Sequence, residues 1–351
     1  MPNELRRDYV LDRYAIIASA RMKRPTDFSM PSPASTAEIG VSCPFCPRNE
    51  EKTPPADLLL VRNAEGDISY ERDIGKQRRR DWLVRSFPNL YPVAEPAIET
   101  LPRSDYLHYS QASYGYHEVV IESPNHNEHP GVARVEQLQC SLKTELLLAD
   151  RFSHDERIKY VQIFRNHRKE AGASLSHAHS QIIALDSIPK LVLEELEGCK
   201  RHSVVHGDCV YCEIIKKEED GPRTVFKDED FLVIAPWASI TPYELWIIPR
   251  NHEANVLRIT ETMISNLAKT LRSTLGALSR ILGDPPYNYG IHTIPSGSEI
   301  EDYHWHVEIL PRLAVWAGFE LSTGVYINVT PPELVAASLR DSARQEREAL
   351  D

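Results

Sequence analysis

His177 and His179 stand one residue apart at the head of the apolar run "SLSHAHSQIIAL" (174–185). Imidazoles so placed can hold a metal, attack an electrophile, or divide the two tasks. Two CxxC pairs, Cys43/Cys46 and Cys209/Cys212, account for four of only six cysteines in 351 residues. That is too few for a disulfide scaffold, and in a reducing compartment such pairs are metal ligands or redox centres. Cys43, Cys46, His126 and His177 form a Cys2His2 set that satisfies tetrahedral Zn2+ with no open position, hence a structural site. Cys209, Cys212, His252 and His304 offer the same four donors again.

His179 then lies outside the ligand set. On a strand, residues i and i+2 share a face roughly 7 Å apart, so an ion on His177 would fix the backbone that presents His179. A positioned neutral imidazole can attack phosphorus and split one transfer into two steps. The other assignment, with both histidines on one ion, leaves a cysteine pair without its fourth partner or demands five ligands. Around His179, "AGASLSHAHSQ" supplies Gly172, Ser174 and backbone N–H groups that let a phosphate approach. Gln181, again two residues on, can hydrogen-bond a phosphoryl oxygen.

The elements that must position these residues occur twice. "CPFC", "WLVRSFPNLYP", "YHEVVIESPNH", a helical pattern at Val135, Leu138, Leu142 and Leu146, "YVQIF" and "SHAHSQIIAL" follow one another. "CVYC", "DFLVIAP", "YELWIIPRNH", a helical pattern at Met263, Leu267, Leu271, Leu275 and Leu278, "YNYGIHTI" and "YHWHVEIL" repeat the order. His126 precedes His177 by 51 residues and His252 precedes His304 by 52. Each copy reads as an antiparallel sheet crossed by one helix, an α+β fold class. The polar, aperiodic stretch 194–209 is the expected junction, which puts the domains at 1–197 and 198–351. "KQRRR" (76–80) reads as a solvated loop rather than an anion site.

The net charge of -11, from 51 acidic against 40 basic residues, argues against broad nucleic-acid or membrane-surface binding, so an anionic ligand needs a specific pocket. The first thirty residues hold no apolar stretch of signal-peptide length, and no run of eighteen apolar residues occurs. A cytoplasmic protein without a membrane partner is the expectation.

On these motifs the chain resembles the galactose-1-phosphate uridylyltransferase family of the histidine-triad superfamily, through His177-Ala178-His179-Ser180-Gln181 above all. The resemblance implies duplicated histidine-triad-like units and a nucleotidyl-histidine intermediate on His179. It also implies Gln181 supporting the phosphoryl group, and zinc on His177, Cys43, Cys46 and His126. It further assigns Arg21 and Arg24 to phosphate, Asn89, Asn166 and Ser174 to substrate, and Phe319 and Glu320 to the sugar. A homodimer is implied as well. The uridylyltransferases usually read HPHGQ, whereas Ala178 and Ser180 stand here. "KRPTDF", "PYNY" and "GFELSTGVYIN" look more like the plant ADP-glucose phosphorylase branch. In some relatives Glu195, His292, His304 and His306 would match an iron site; with Cys209 and Cys212 present, the zinc set is favoured. The expected substrates are a nucleotide sugar and a hexose 1-phosphate or phosphate. UDP-glucose with galactose 1-phosphate comes first, and ADP-glucose with inorganic phosphate second. A hydrolase or a non-catalytic zinc-stabilised nucleotide-binding module would use the same residues. His306 is followed by Glu308 rather than glutamine, so the second copy is expected to be structural or to bind substrate at an interface.

Overall fold

The computed structural model describes residues 2–23, 43–63, 65–96 and 102–350. The chain enters through β1 (Glu4–Arg7) and β2 (Tyr14–Ile17) and continues to β3 (Leu58–Arg62), β4 (Ile68–Glu71) and β5 (Trp82–Pro88). A two-strand ribbon, β6 (Arg103–Ser104) and β7 (Tyr109–Ser110), leads to β8 (Gly115–Ile121), α1 (Val135–Ser153), β9 (Tyr160–His167) and β10 (His179–Leu185). Helices α2 (Lys190–His206) and α3 (Val210–Glu218) join this part to β11 (Thr224–Lys227), β12 (Phe231–Ile234) and β13 (Leu245–Pro249). Then come α4 (Glu261–Leu282), β14 (Tyr287–His292), β15 (His306–Pro311), α5 (Gly318–Thr323), β16 (Tyr326–Asn328) and α6 (Pro332–Glu348).

Both copies share one sheet. Its eleven strands run β11-β12-β13-β15-β14-β9-β10-β8-β5-β3-β4, and every neighbouring pair is antiparallel. The seam is β9 against β14, registered from Tyr287 opposite His167 to Ile291 opposite Ile163. On either side the order of elements is the same, giving a pseudo-twofold arrangement with α1 and α4 adjacent.

Alternation decides the two faces. In β10, Ser180, Ile182 and Ala184 turn toward α1, where the two apolar residues join Leu138, Leu142, Leu146 and Leu148 in the main core. A single Leu142→Ala change in that layer would cost about 3 kcal/mol. His179 and Gln181, one position out of phase, occupy the opposite face with Val119 and Ile121 of β8. Close strand contact is needed at Gly115, where a Cβ would meet the Ala184 carbonyl oxygen at 1.9 Å.

The sequence predicts an aperiodic junction over 194–209, and helix α2 occupies most of it, so position 197 lies inside a helix. Its inward face includes Glu195 beside Val192, Leu196 and Cys199, and a carboxylate at a core position breaks the apolar stripe that periodicity needs. The 76–80 segment is a paired surface loop: Arg78 with Asp73, Arg79 with Asp81 and Arg80 with Glu51. No helix among the described residues is long and apolar enough to cross a membrane.

Candidate functional site

The CPFC turn brings two thiols to the ends of β8 and β10. Cys46 Sγ lies 3.3 Å from His126 Nδ1 and 3.5 Å from His177 Nδ1, and Cys43 Sγ lies 3.7 Å from His177 Nδ1. All four donor atoms fall within 4.8 Å of one another. Ligands on a tetrahedral Zn2+ stand roughly 3.5 Å apart, so this set fits the ion. The outer hydrogen bonds agree. His177 Nε2 donates to the Ser123 carbonyl at 2.8 Å and His126 Nε2 lies 3.0 Å from Ser176 Oγ, leaving both Nδ1 lone pairs aimed at the thiols. Burial pushes the Cys43 thiol up to about 11, the direction a bound cation reverses.

His179 opens β10 and is 7% exposed. Its Nδ1 lies 2.8 Å from the His177 carbonyl oxygen, which can only accept. Nδ1 therefore carries the proton and Nε2 the lone pair. Burial, with Arg165 nearby, lowers the pKa to about 4, so the ring is neutral at pH 7. Phe45, inside the CPFC turn, meets the ring edge-on at 5.4 Å. Behind the strand, Ser180 Oγ donates to Glu145 at 2.6 Å. One peptide thus couples the two histidines: the residue that offers Nδ1 to the thiols also supplies the carbonyl that sets the tautomer of its neighbour.

Gln181 lies on the same face, its Oε1 2.9 Å from His117 Nε2, and Asn89 Nδ2 lies 3.1 Å from that same nitrogen. Asn166 on β9 accepts from Asn288 Nδ2 at 2.7 Å, and Asn288 also reaches the Ala171 carbonyl. Gly172, at φ +92°, turns the chain there. Ser174 is exposed in the loop leading to His177. Arg21 lies on the turn Ser19–Lys23 with a buried Nε that has no hydrogen-bond partner among the described residues, whereas Arg24 falls outside them. Phe319 and Glu320 lie on α5; Phe319 is half exposed and Glu320 accepts from the Ala317 N–H within its own turn. No hydrogen bond or ring contact of theirs among the described residues joins them to the His179 face.

The second copy repeats the donors and closes the position that matches His179. Cys212 Sγ is 3.4 Å from His252 Nδ1 and 3.8 Å from His304 Nδ1; Cys209 Sγ is 4.0 Å from His304 Nδ1. His252 and His304 spend Nε2 on the carbonyls of Glu301 and Pro249. His306 repeats the bond of Nδ1 to a carbonyl, that of His304, at 3.1 Å. Its Nε2, however, takes the Tyr211 hydroxyl at 3.4 Å, and the ring is completely buried. Burial alone would depress His292, but the Glu195 and Glu308 carboxylates hold it at about 9. His304 has turned to the thiols, leaving Glu195, His292 and His306 as a three-donor group beneath Tyr211. A further convergence, His129, His167 and Asp284, fits an ion poorly. Arg165 donates to His167 Nδ1, so His167 Nε2 carries the proton it gives Asp284 at 2.7 Å.

Three participants escape a reading by motif. Phe45 could have been found as the aromatic enclosed by the first CxxC, and His117 as the residue alternating with Val119 and Ile121 on the strand beside Gln181. Ser123 acts through its carbonyl, which no side-chain pattern reveals.

The description "Galactose-1-phosphate uridyl transferase, N-terminal domain" matches residues 77–189. A domain of unknown function, DUF4921, matches residues 136–350. ADP-glucose phosphorylase of Arabidopsis thaliana is 34% identical over 348 residues, covering 96% of this chain and 92% of the relative. Galactose-1-phosphate uridylyltransferase of Thermotoga maritima is 26% identical over 352 residues, covering 97% and 98%. Among solved structures, the Arabidopsis thaliana ADP-glucose phosphorylase with bound ADP-glucose superposes with a TM-score of 0.80 at 31% identity, covering 97% of this chain and 99% of that one. A uridylyltransferase structure gives 0.74 at 28%, again over 97% and 99%.

Proposed function

The chain belongs to the nucleotidyl-transferring family of galactose-1-phosphate uridylyltransferases and ADP-glucose phosphorylases, and from that premise we propose adenylyl transfer from ADP-glucose to inorganic phosphate through His179. His179 Nε2 attacks the α-phosphorus as the bond to the bridging oxygen breaks. The electron pair leaves with glucose 1-phosphate. The ring is then an N-phosphoryl imidazolium whose Nδ1–H stays on the His177 carbonyl, which carries part of the new positive charge. A phosphate oxygen next attacks the same phosphorus, ADP departs, and Nε2 regains its lone pair. The Gln181 amide would donate to the phosphoryl oxygens, with Arg21 and Arg24 as further cations and Asn89, Asn166, Gly172 and Ser174 along the substrate path. Phe319 and Glu320 are proposed to meet the sugar. Zn2+ on Cys43, Cys46, His126 and His177 would hold the strand, and a second Zn2+ on Cys209, Cys212, His252 and His304 would serve the second copy. Units 1–197 and 198–351, a homodimer and a cytoplasmic location belong to the same proposal.

One observation carries the chemistry: a neutral imidazole whose tautomer is set by its metal-set neighbour, on one face with Gln181. The two donors are ranked in reverse of the order expected from the sequence, because the adenylyl relative stands at 34% identity and the Thermotoga maritima uridylyl relative at 26%. The latter's coverage of nearly the whole chain keeps the uridylyl reading as the second. Intact-mass spectrometry after brief exposure to ADP-glucose or UDP-glucose tests the choice. The expected result is an AMP adduct that phosphate discharges as ADP. A UMP adduct discharged only by a hexose 1-phosphate supports the second reading, and no adduct from either donor refutes both.

A further inference from the structure

His117 makes contacts that fix the Gln181 amide and hold the backbone of Asn89 beside it. Its carbonyl accepts the Asn89 N–H at 2.8 Å, and its Nδ1 accepts the Val93 N–H at 3.2 Å. A neutral imidazole whose Nδ1 accepts must carry its proton on Nε2, and burial keeps this ring neutral. Nε2–H then donates to Gln181 Oε1 at 2.9 Å. Asn89 is oriented as well, since its Oδ1 accepts the Tyr91 N–H at 2.9 Å and so turns Nδ2 toward His117. Nδ2 and Nε2–H are both donors and do not satisfy one another. Among the described residues, neither the Gln181 Nε2 nor the Asn89 Nδ2 hydrogens have a protein acceptor. Two carboxamide donors are left facing the surface that carries His179.

We propose that His117 is a positioning residue for nucleotidyl transfer, orienting the Gln181 amide so that its N–H group, beside that of Asn89, meets the phosphoryl oxygens at His179. The inference rests on the nucleotidyl-histidine reading. If the Val93 N–H were lost, the ring could take the other tautomer, Nε2 would accept, and Gln181 would turn its oxygen toward the phosphate. Repulsion would then replace donation.

Single-turnover adduct formation from α-phosphate-radiolabelled ADP-glucose tests it in the full chain, with metal content and melting temperature followed in every variant. His117→Asn removes the Nε2 donor and keeps an acceptor near the Val93 N–H; it should slow adduct formation about tenfold or more while KM changes less than about threefold. His117→Gln keeps an N–H at the Nε2 position and should restore the rate to within about threefold of wild type. Gln181→Ala should cost about 100-fold, and His117→Asn added to it should cost little more. Val93→Pro, at an exposed position, deletes the N–H that sets the tautomer without altering any side chain of the site, and should also slow the step. Equal losses in the Asn and Gln variants, a double-variant loss equal to the product of the single losses, or an unaltered rate in Val93→Pro would overturn the assignment while adduct formation itself stands. A wild-type chain that takes label from neither ADP-glucose nor UDP-glucose would overturn both the assignment and the reading beneath it.

Discussion

Replacing Glu145 by glutamine should remove a pH dependence of stability and leave the strand that carries His179 in place. Glu145 lies on α1 beneath Ser180, the residue between His179 and Gln181. Its Oε1 accepts from Ser180 at 2.6 Å and Ser141 at 3.1 Å, while Oε2 is buried without a hydrogen-bond partner among the described residues. Burial, reinforced by the Glu122 charge, pushes its carboxyl up from 4.5 to about 8. Between those values the folded chain holds a proton that the unfolded chain has released, so stability is complete below pH 4.5 and is lost as pH rises toward 8. Each pH unit inside the window costs up to about 1.4 kcal/mol, which makes the loss from pH 5 to pH 7 about 2 kcal/mol. Glutamine carries no charge at either pH and keeps an acceptor for both hydroxyls. Urea unfolding of metal-loaded wild type and Glu145→Gln at pH 5, 6 and 7 should therefore show the variant gaining on wild type by about 2 kcal/mol across the range, with equal m-values. Parallel pH profiles would refute the reasoning, because they would mean that Glu145 is already ionised in the folded chain.

Further outcomes follow from the same geometry. His179→Ala should abolish nucleotide adduct while both metals remain, whereas His306→Ala should keep the adduct and lower the melting temperature; mass spectrometry and metal analysis check both. Chelator titration with a colorimetric zinc indicator should be biphasic. Cys212 and His252 line a cavity of about 760 Å3 and His252 is exposed, so the second set should release first, ahead of one built on buried Cys43, Cys46 and His177. Cys46→Ser should lower the first-site metal content and slow adduct formation together, since Cys46 approaches both first-site histidines within 3.5 Å; adduct formation at the wild-type rate without that metal would separate the two.

What the sequence makes legible is whatever rests on period or donor type. Leu138, Leu142 and Leu146 announce α1, the apolar runs at 231–236 and 245–249 announce β12 and β13, and two repeated Cys2His2 sets converge where their spacing says. Pairings between distant polar residues are hidden. Arg165 and Glu122 form a buried ion pair at 2.8 Å across 43 positions, and either alone reads as a surface charge. His117 is hidden for a related reason: its importance lies in which nitrogen carries hydrogen, and that is set by a backbone N–H from a loop. The union of both copies in one sheet is equally hidden, because the seam of β9 with β14 depends on register between segments that each read as ordinary strands.

The two copies share a scaffold and differ in what covers the second histidine. In the first, the aromatic of the CxxC turn is Phe45, which bounds the His179 ring at its edge and has no hydroxyl to offer Nε2. In the second, Tyr211 occupies the matching place, lies 4.6 Å from the His306 ring, and gives its hydroxyl to Nε2. The residue two places on follows the same logic. Gln181 presents an amide that can donate to an anion, whereas Glu308 is a carboxylate, held low by His292 and unable to donate. A phosphoryl group entering the second copy would lose the lone pair to Tyr211 and meet a negative charge at close range. Duplication thus supplied two frames of one geometry, and a hydroxyl and a carboxylate are enough to leave the first with an imidazole lone pair fit for the proposed attack and make the other a packed interior.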